Sequence, residues 1–343
     1  AAGKSVVTAN KQVIAHGGPA LLREAGRRGR HLLFEAAVAG GIPILRGLRE
    51  GVAGDRLRRI QGILNGTCNY VLTRMESAGL SFRDALAEAQ RLGYAEADPT
   101  DDVDGHDAGA KLAILAGVGL GHVVRVDDIP VEPITAVAAV DFAYARRLGC
   151  VIRQVARAEL LPDGGGLHAA VRPALVSEAS TLGRVEGSRN VVVVDGEFGG
   201  ETAFSGFGAG GEPTAVAVVS DLMAIARGGA APSDGWLPAS GDPSPVAREF
   251  EAPHYVRFMI DDRPGIVASL AQVFSHHGIN LDAVLQEPGW PKAELPFVMT
   301  LEPCRSTSVA AALADAARFD FHVRPPLWLP MFVDRPDGVD GSA

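Results

Sequence analysis

The sequence of 343 residues is poor in several residue types, and each deficit excludes a class of protein. Three cysteines without a CxxC spacing (Cys68, Cys150 and Cys304) are typical of a reducing cytoplasm rather than of a disulfide framework. Basic residues number 32 against 41 acidic ones, and the resulting net charge of −9 argues against nucleic acid or an anionic membrane as a partner. No apolar run reaches the roughly 18–20 residues that a membrane helix needs.

The residues that are abundant indicate a folded protein. Hydrophobic residues make up 47% of the chain and charged residues 21%, and the length suits two or three domains. The chain opens on AAGKSVVTANK, which lacks the basic start and long apolar core of a signal peptide. Its β-forming residues predict a strand with no earlier partner, so we expect the sequence to start inside a domain.

Apolar periodicity predicts an α/β fold. Residues 1–50 indicate a β-α-β unit, with strands at SVVTA and HLLFEAAV around a helix from Pro19 to Gly29. Further strands are predicted at RLRRIQGIL, VIRQVARAEL, LHAAVRPALV and NVVVVDG, and further helices after Asn65, after Ser81, around Lys111 and after the glycine-rich segment near 210. A stretch rich in Pro, Gly and Ser predicts a linker at 229–250, followed by a small β-α-β-β-α unit.

The segment LGYAEADPTDDVDGHDAGAKL (92–112) places six carboxylates ahead of one lysine, Lys111. Asp107 and Lys111 are spaced i, i+4 and so share a helix face. The apolar residues that follow predict a buried helix, in which a lysine is costly unless carboxylates surround it. A surface ion pair is the alternative, as is a plain surface charge run for Asp98, Asp101 and Asp104. A calcium loop fails because Lys111 falls where the bidentate glutamate belongs.

A lysine among carboxylates suits the reduction of a carbonyl group. Hydride reaches the carbon, while an ammonium gives a proton to the oxygen or holds the developing alkoxide. The carboxylates would bind an ammonium or hydroxyl group of the substrate. Other candidates are weaker: Cys68 is predicted to be packed, His106 is either structural or an acid–base group, and His276 and His277 are interpreted as surface residues.

Five segments resemble homoserine dehydrogenase in their order and spacing: VVTANK (6–11), FEAAVAGGIPI (34–44), GILNGTCNYVL (62–72), LGYAEADPTDDVDGHDAGAKL (92–112) and GFGAGGEPTA (206–215). DRPGIV (262–267) and HGINLDAVLQ (277–286) resemble the ACT regulatory domain. The resemblance implies reversible, NADPH- or NADH-dependent reduction of L-aspartate 4-semialdehyde to L-homoserine, on the branch toward threonine, methionine and isoleucine. The alternative is an inactive, truncated homologue that serves as an amino-acid-sensing ACT module.

The same resemblance implies roles for individual residues. Lys111 matches the proton donor, and Lys11 a catalytic lysine near the nicotinamide. The substrate-binding carboxylates are Glu96, Asp102 and Asp107, and the cofactor contacts are Thr8, Asn10, Lys11 and Gly210. Glu35 with the backbone carbonyls of Val38, Gly40 and Ile42 matches a monovalent cation site, usually sodium, although Glu35 also suits an ordinary strand-end carboxylate. Gly265 and Asn280 would bind an amino-acid effector, threonine by resemblance.

The implied architecture is α/β, with a partial Rossmann-type cofactor domain over residues 1–40, completed by the helix at 208–228. An α+β catalytic and dimerisation domain follows over 41–207, then the linker at 229–250 and a ferredoxin-like ACT domain over 251–335. We expect a homodimer or homotetramer. The family's pyrophosphate-binding half would precede residue 6, so we expect the chain to lack it, and the choice between NADPH and NADH stays open.

Three glycines, Gly206, Gly208 and Gly211, spell GxGxxG. The dinucleotide fingerprint requires an acidic residue about 20 positions further on, at the end of a second strand. Here a long helix and then the linker follow. We therefore interpret the motif as a glycine loop at a helix N-terminus that can approach the nicotinamide or a phosphate, with a plain turn as the alternative.

Overall fold

The structure is a computed structural model that describes residues 3–228 and 242–333. The chain divides into two compact units. The first consists of Ala1–Thr135, Gln154–Arg172 and Val185–Arg248, and the second of Ala136–Arg153, Pro173–Arg184 and Glu249–Ala343. Two segments from the middle of the chain thus belong with the C-terminal residues, a grouping that the sequence did not predict. Most of the predicted linker, at 229–241, lies outside the described residues.

The helices and strands of the described residues are as follows. The α-helices are α1 (Lys11–Arg27), α2 (Ile44–Arg46), α3 (Gly66–Ala78), α4 (Phe82–Arg91), α5 (Thr100–Val103), α6 (His106–Gly119), α7 (Ala139–Arg147), α8 (Gly211–Ala226), α9 (Ile266–His276) and α10 (Ser306–Ala316). The strands are β1 (Val6–Val7), β2 (Leu32–Leu33), β3 (Leu57–Ile63), β4 (Cys150–Leu160), β5 (Leu167–Ser177), β6 (Arg189–Gly196), β7 (Gly200–Phe207), β8 (Val246–Ala247), β9 (Glu251–Ile260), β10 (Leu281–Gln286), β11 (Leu295–Arg305) and β12 (His322–Phe332). Short 3₁₀ turns lie at Glu35–Ala37, Val126–Asp128, Ile134–Ala136 and Lys292–Glu294, and a π turn at Gly47–Gly51. In this part of the chain, no helix has both the length and the apolar character needed to cross a membrane.

The first unit contains a small parallel pair and an antiparallel sheet. In the parallel pair, β1 runs beside β2 with Val6 opposite Leu32. In the larger sheet, β3 lies between β4 and β6, and β7 extends it beyond β6, with antiparallel pairing throughout. The sequence did not predict β7, because its side chains are half exposed and small residues such as Gly200 and Gly206 have low β propensity.

Helix α6 forms the centre of the first unit's core. Leu112 and Leu115 are fully buried, and Ala116 completes the apolar surface one residue further on. A Cβ on Gly119 would lie 2.4 Å from Cδ1 of Ile60, so the glycine lets the end of α6 approach β3 without displacing the Ile60 side chain. The prediction of a buried helix after the acidic segment is confirmed.

The beginning of the chain differs from the prediction. Helix α1 begins at Lys11 rather than near Pro19, because the Asn10 carboxamide accepts from Val13 N at 3.1 Å and caps it. Pro19 therefore lies inside the helix. Strand β2 is shorter than predicted, because the chain turns into a 3₁₀ helix at Glu35. By contrast, the predicted cap at Ser81 is confirmed, since its hydroxyl accepts from Asp84 N at 3.2 Å.

The second unit is built around the antiparallel sheet β10-β11-β9-β12 with helices α9 and α10. Phe258, Phe274 and Phe297 lie in its core, where Phe258 stacks on Phe297 with ring centroids 5.2 Å apart. The element order is βαββαβ, so the predicted unit lacked its last strand. Prolines 325, 326 and 330 in β12 explain the omission, because proline disfavours a strand, and the pairing of β12 with β9 shifts register between Arg324 and Leu327.

A buried ion pair ties α7 to β9 within the second unit. The Asp141 carboxylate, which is fully buried, accepts from Arg257 Nε at 2.7 Å and from the Tyr255 hydroxyl at 2.7 Å. It also accepts from Ala138 N at 2.8 Å at the start of α7. Residues 136–153 therefore belong to the C-terminal unit through a charged contact that periodicity does not reveal.

Candidate active site

The site is organised around Asp107, in the first turn of α6. Its Oδ2 lies 2.7 Å from Lys111 Nζ, one turn along the helix, and its Oδ1 lies 3.1 Å from Lys11 Nζ, the first residue of α1. Lys111 Nζ also donates to the backbone carbonyl of Leu64 at 2.8 Å. The structure thus brings together three of the predicted site residues, and one carboxylate serves two ammonium groups.

The surroundings keep Asp107 ionised. Burial would raise its pKa, but the charge and hydrogen bond of Lys111, the charge of Lys11 and a hydrogen bond from Asn65 outweigh it, and the net pKa is lowered. The nearby thiol of Cys68 behaves oppositely: burial, then the charges of Asp102 and Asp107, raise its pKa well above the usual value. Cys68 is fully buried, and its Sγ donates to the Asp102 carbonyl at 3.1 Å. The prediction that Cys68 is a packed residue is therefore confirmed.

Asn65 is a site residue that the sequence motifs did not predict. Its Nδ2 donates to Asp102 Oδ1 at 2.6 Å and to Asp107 Oδ2 at 2.9 Å. Its Oδ1 accepts from Cys68 N at 2.8 Å and caps α3. One carboxamide thus caps a helix and cross-links two acidic residues. An asparagine just before a predicted helix signals the cap, but no local pattern signals the cross-link.

These groups open onto a cavity of about 550 Å³ within the first unit. Six residues predicted for the site line it: Lys11, Glu96, Asp102, Asp107, Lys111 and Gly210. Lining residues that were not predicted include Thr67, Tyr94, Ser188 and Asn190. Glu96 is exposed at the cavity. Asp98, by contrast, accepts from the Thr100 side chain at 2.6 Å and is exposed, as the surface alternative for it predicted.

The predicted cofactor residues have two kinds of position. Lys11 and Gly210 line the cavity. Thr8 and Asn10 build the start of α1, since the Thr8 hydroxyl accepts from Asn10 N at 3.0 Å and Asn10 caps the helix. His106 begins α6 and is exposed, and it is not among the described residues that line the cavity.

The glycine motif joins β7 to α8. Strand β7 ends inside the motif at Phe207, and Gly210 precedes α8 with a φ of 114° that favours glycine. Since β7 pairs antiparallel with β6, the motif does not follow a strand of a parallel βαβ unit, which supports the interpretation as a glycine loop rather than a dinucleotide fingerprint. A Cβ on Gly208 would lie 2.2 Å from Cγ of Asn190, so only glycine fits at this position.

The predicted cation site includes a buried carboxylate, that of Glu35, which already has hydrogen-bond partners. Glu35 Oε1 accepts from Leu45 N at 2.8 Å and Oε2 from Arg46 N at 3.0 Å, at the start of α2. Burial raises the pKa of Glu35 to about 7, and these backbone hydrogen bonds lower it only partly. No group of three or more His, Cys, Asp or Glu side chains is placed to hold a metal ion within residues 3–228 and 242–333. Glu35 is thus more than an ordinary strand-end residue, because it holds α2 in place.

In the second unit, the predicted effector residues lie at the two ends of α9. Gly265, with φ of 97°, precedes the helix, and Asn280 follows it and donates to Glu302 Oε2 at 3.2 Å. Eleven residues of helix separate them, roughly 16 Å along the axis. One copy of the unit therefore does not bring them into a single pocket. Of the two predicted surface histidines, His276 is exposed, while His277 is half buried and pairs with Asp315 at 2.9 Å.

A lysine that is 11% exposed on the wall of a polar cavity, beside a glycine loop, suits a dehydrogenase that acts on a carbonyl group. The model of the family "Homoserine dehydrogenase" matches residues 43–223, and that of the "ACT domain" matches residues 254–316. The chain belongs to the homoserine dehydrogenase family, whose members are oxidoreductases, and it carries a C-terminal ACT domain. The resemblance predicted from the motifs is confirmed.

Individual relatives agree with this assignment. The homoserine dehydrogenase of Synechocystis sp. is 41% identical over 331 residues, which cover 92% of this chain and 75% of that protein. The crystal structure of a homoserine dehydrogenase from Thiobacillus denitrificans has a TM-score of 0.88 at 35% identity, covering 96% of this chain and 76% of that one. A hyperthermophilic archaeal homoserine dehydrogenase mutant in complex with NADPH has a TM-score of 0.57 at 32% identity, covering 65% and 64%. This chain thus spans about two thirds to three quarters of the length of these relatives.

Proposed function

We propose that this chain reduces the aldehyde of L-aspartate 4-semialdehyde to L-homoserine, reversibly, with Lys111 as the proton donor. The observation that carries the proposal is the position of Lys111. Its side chain is 11% exposed and lies on the wall of the polar cavity. Two of its three N–H groups are directed at Asp107 and Leu64, so the third is left to donate to a carbonyl oxygen in the cavity. NADPH or NADH supplies the hydride when bound.

The other residues of the cavity complete the site by charge. Glu96 and Asp102 carry negative charge along the cavity and suit the ammonium group of the substrate. Lys11 is close enough to share Asp107 with Lys111, and its partly exposed ammonium suits the substrate carboxylate or the developing alkoxide. Gly208 to Gly210 leave room for the nicotinamide ring because no side chain projects from the two glycines.

Replacement of Lys111 by methionine tests the proposal. Methionine keeps the length of the side chain but has no proton to donate, so kcat for aspartate semialdehyde is expected to fall by about 10²- to 10⁴-fold, with cofactor binding retained. Lys292→Met is the matched control, because that lysine is 84% exposed and belongs to the second unit. Near-normal turnover by the Lys111 variant, measured as NADPH oxidation, contradicts the role proposed for it.

A sodium ion at Glu35 is part of the proposal. Each carboxylate oxygen of Glu35 uses one lone pair for a backbone N–H and retains another for a cation. Burial is the main cause of the raised pKa of Glu35, and a bound cation would stabilise the ionised carboxylate against that burial. Ala39 and Gly40 both have positive φ, of 54° and 51°, and shape the turn whose carbonyls would complete the ligand set.

For the second unit we propose an amino-acid effector, with threonine as the first to test. Gly265 leaves the backbone N–H groups at the start of α9 accessible to a carboxylate. Since Asn280 lies at the other end of the helix, a site that uses both residues needs two copies of the chain, in a homodimer or homotetramer.

The free thiols Cys68, Cys150 and Cys304 support a reducing compartment such as the cytoplasm.

A further inference from the structure

One buried carbonyl oxygen on the cavity wall, Oδ1 of Asn190, lacks a hydrogen-bond partner within the part of the chain that the structure describes. Asn190 lines the cavity and is only 1% exposed, and within the described residues its Oδ1 accepts no hydrogen bond. Buried carbonyl oxygens are nearly always hydrogen-bonded, because leaving one unpaired is costly. A buried acceptor without a partner, on a residue that lines a ligand cavity, therefore points to a donor on the ligand.

Asn190 lies close both to the glycine loop, proposed to contact the cofactor, and to the segment that holds Lys111, the proposed proton donor. It is the second residue of β6 and pairs with Gly206 of β7, directly before the glycine loop. A Cβ on Gly208 would lie 2.2 Å from its Nδ2, and a Cβ on Gly66 would lie 3.5 Å from its Oδ1. The carboxamide thus lies between the glycine loop and the start of α3, the helix that follows Leu64, whose carbonyl holds Lys111.

The chemistry of the cavity decides which donor suits this oxygen. The charged groups of an amino-acid substrate have charged partners available, since Glu96 and Asp102 suit an ammonium and Lys11 suits a carboxylate. A neutral, buried carbonyl is better matched by a neutral N–H donor. A carboxamide offers a donor and an acceptor side by side, so a second carboxamide satisfies it whichever way its amide group is turned.

A nicotinamide ring brings such a group to this place. Its carboxamide is attached to the carbon next to the one that delivers the hydride. The hydride donor must approach the carbonyl carbon whose oxygen receives the proton of Lys111, so the carboxamide must lie against the same cavity. We propose that Asn190 recognises the cofactor's carboxamide, with Oδ1 accepting a hydrogen bond from its N–H. This inference rests on the proposed function, and it assigns to Asn190 the choice of which face of the ring meets the substrate.

The test compares two cofactors that differ only in this donor. In the 3-acetylpyridine analogue of NADPH, a methyl group replaces the carboxamide NH₂. Dissociation constants of both reduced nucleotides are measured by titration calorimetry for the wild type and for Asn190→Ala. The preference of the wild type for NADPH over the analogue is expected to fall about tenfold in the variant, because NADPH binds more weakly while the analogue does not. Comparing the two ratios cancels intrinsic differences between the nucleotides.

Two further variants separate recognition from stability. Asn190→Asp keeps the shape and the acceptor oxygen, so the preference for NADPH is expected to remain. Asn69→Ala is the control, because Asn69 is a second buried asparagine whose Oδ1 is unpaired within the described residues. Its Nδ2 donates to the backbone carbonyls of Val185, Gly187 and Arg189, and Asn69 is not among the described residues that line the cavity. Its substitution is expected to lower the melting temperature and to leave the preference unchanged.

The outcomes distinguish this inference from the proposed function. A wild type that binds and oxidises NADPH, together with an Asn190→Ala variant that keeps the full preference, overturns the inference alone. Equal weakening of both nucleotides in Asn190→Ala also overturns it, because the side chain would then act only by packing. A wild type that binds NADPH but does not oxidise it in the presence of aspartate semialdehyde overturns the proposed function, and the ratio of dissociation constants then decides this inference separately.

Discussion

The substitution Asp107→Asn is expected to lower the free energy of unfolding of the first unit by about 3 kcal/mol. Asparagine keeps the shape of the side chain, removes its charge and replaces one of the two acceptor oxygens with an NH₂ group. Lys111, with a side chain that is 11% exposed, then retains an ammonium without a carboxylate. Breaking one half of a buried ion pair costs about 3–5 kcal/mol. The lower end applies because Lys111 borders a cavity that admits water, and Lys11, at 34% exposed, regains hydration.

The same reasoning predicts a recovery in the double variant Asp107→Asn, Lys111→Met. With the second substitution, no buried ammonium remains unpaired, so most of the lost stability should return. The coupling free energy between the two positions is therefore expected to be about 2–3 kcal/mol. Catalysis should not recover, since the proton donor is absent from the double variant.

Urea unfolding followed by circular dichroism at pH 7 measures the stabilities, and NADPH oxidation with aspartate semialdehyde measures the activities. For a unit of this size, about 3 kcal/mol corresponds to a decrease of about 6–12 °C in the melting temperature. If the double variant is as unstable as the sum of the two single variants, the lysine and the carboxylate do not act as a buried pair, and the reasoning about Lys111 is refuted.

Three further predictions concern other positions. Gly208→Ala should lower the free energy of unfolding by about 1–3 kcal/mol and weaken cofactor binding, because the new Cβ would clash with Asn190. Gly211→Ala, whose Cβ would have nothing within 4 Å, should leave both the free energy of unfolding and cofactor binding nearly unchanged. Burial lowers the pKa of His168 from 6.5 to about 4, so the neutral imidazole favours the folded state above pH 6.5, and this contribution of about 3 kcal/mol is lost as the pH falls toward 4. The difference in free energy of urea unfolding between the wild type and His168→Gln should therefore change by about 3 kcal/mol between pH 6.5 and pH 4. A difference that stays constant over this range contradicts the prediction. Sodium chloride should raise the melting temperature above that in choline chloride for the wild type but not for Glu35→Gln, and an equal rise in both would argue against a cation at Glu35.

Much of the site could be predicted because its signals are local. The spacing of Asp107 and Lys111 places them one helical turn apart, and the apolar residues after Lys111 predict its burial. The start of α3 after Asn65 and the cap at Ser81 follow from preferences of single residues. The order and spacing of the five motifs predicted the family, which none of these local patterns specifies by itself.

Other features could not be predicted, because they join segments that are far apart in the chain. The contact of Lys11 with Asp107 depends on how α1 packs against α6. The role of Asn190 depends on the register of β6 with β7, a strand that its small and half-exposed residues do not reveal. The prolines of β12 similarly conceal a strand that pairs only after the sheet of the second unit has formed.

The amino-acid sequence alone determined the helix that carries Asp107 and Lys111, its burial and the chemistry available to it, because helix periodicity and capping act within a few residues. Folding in three dimensions selected which of the six acidic residues serves the lysines, and it placed Asn65, Asn190 and the glycine loop around them. The reason is physical: the free energy of a buried charge or amide depends on all the groups packed around it, and those groups come from parts of the chain that only meet in the folded protein.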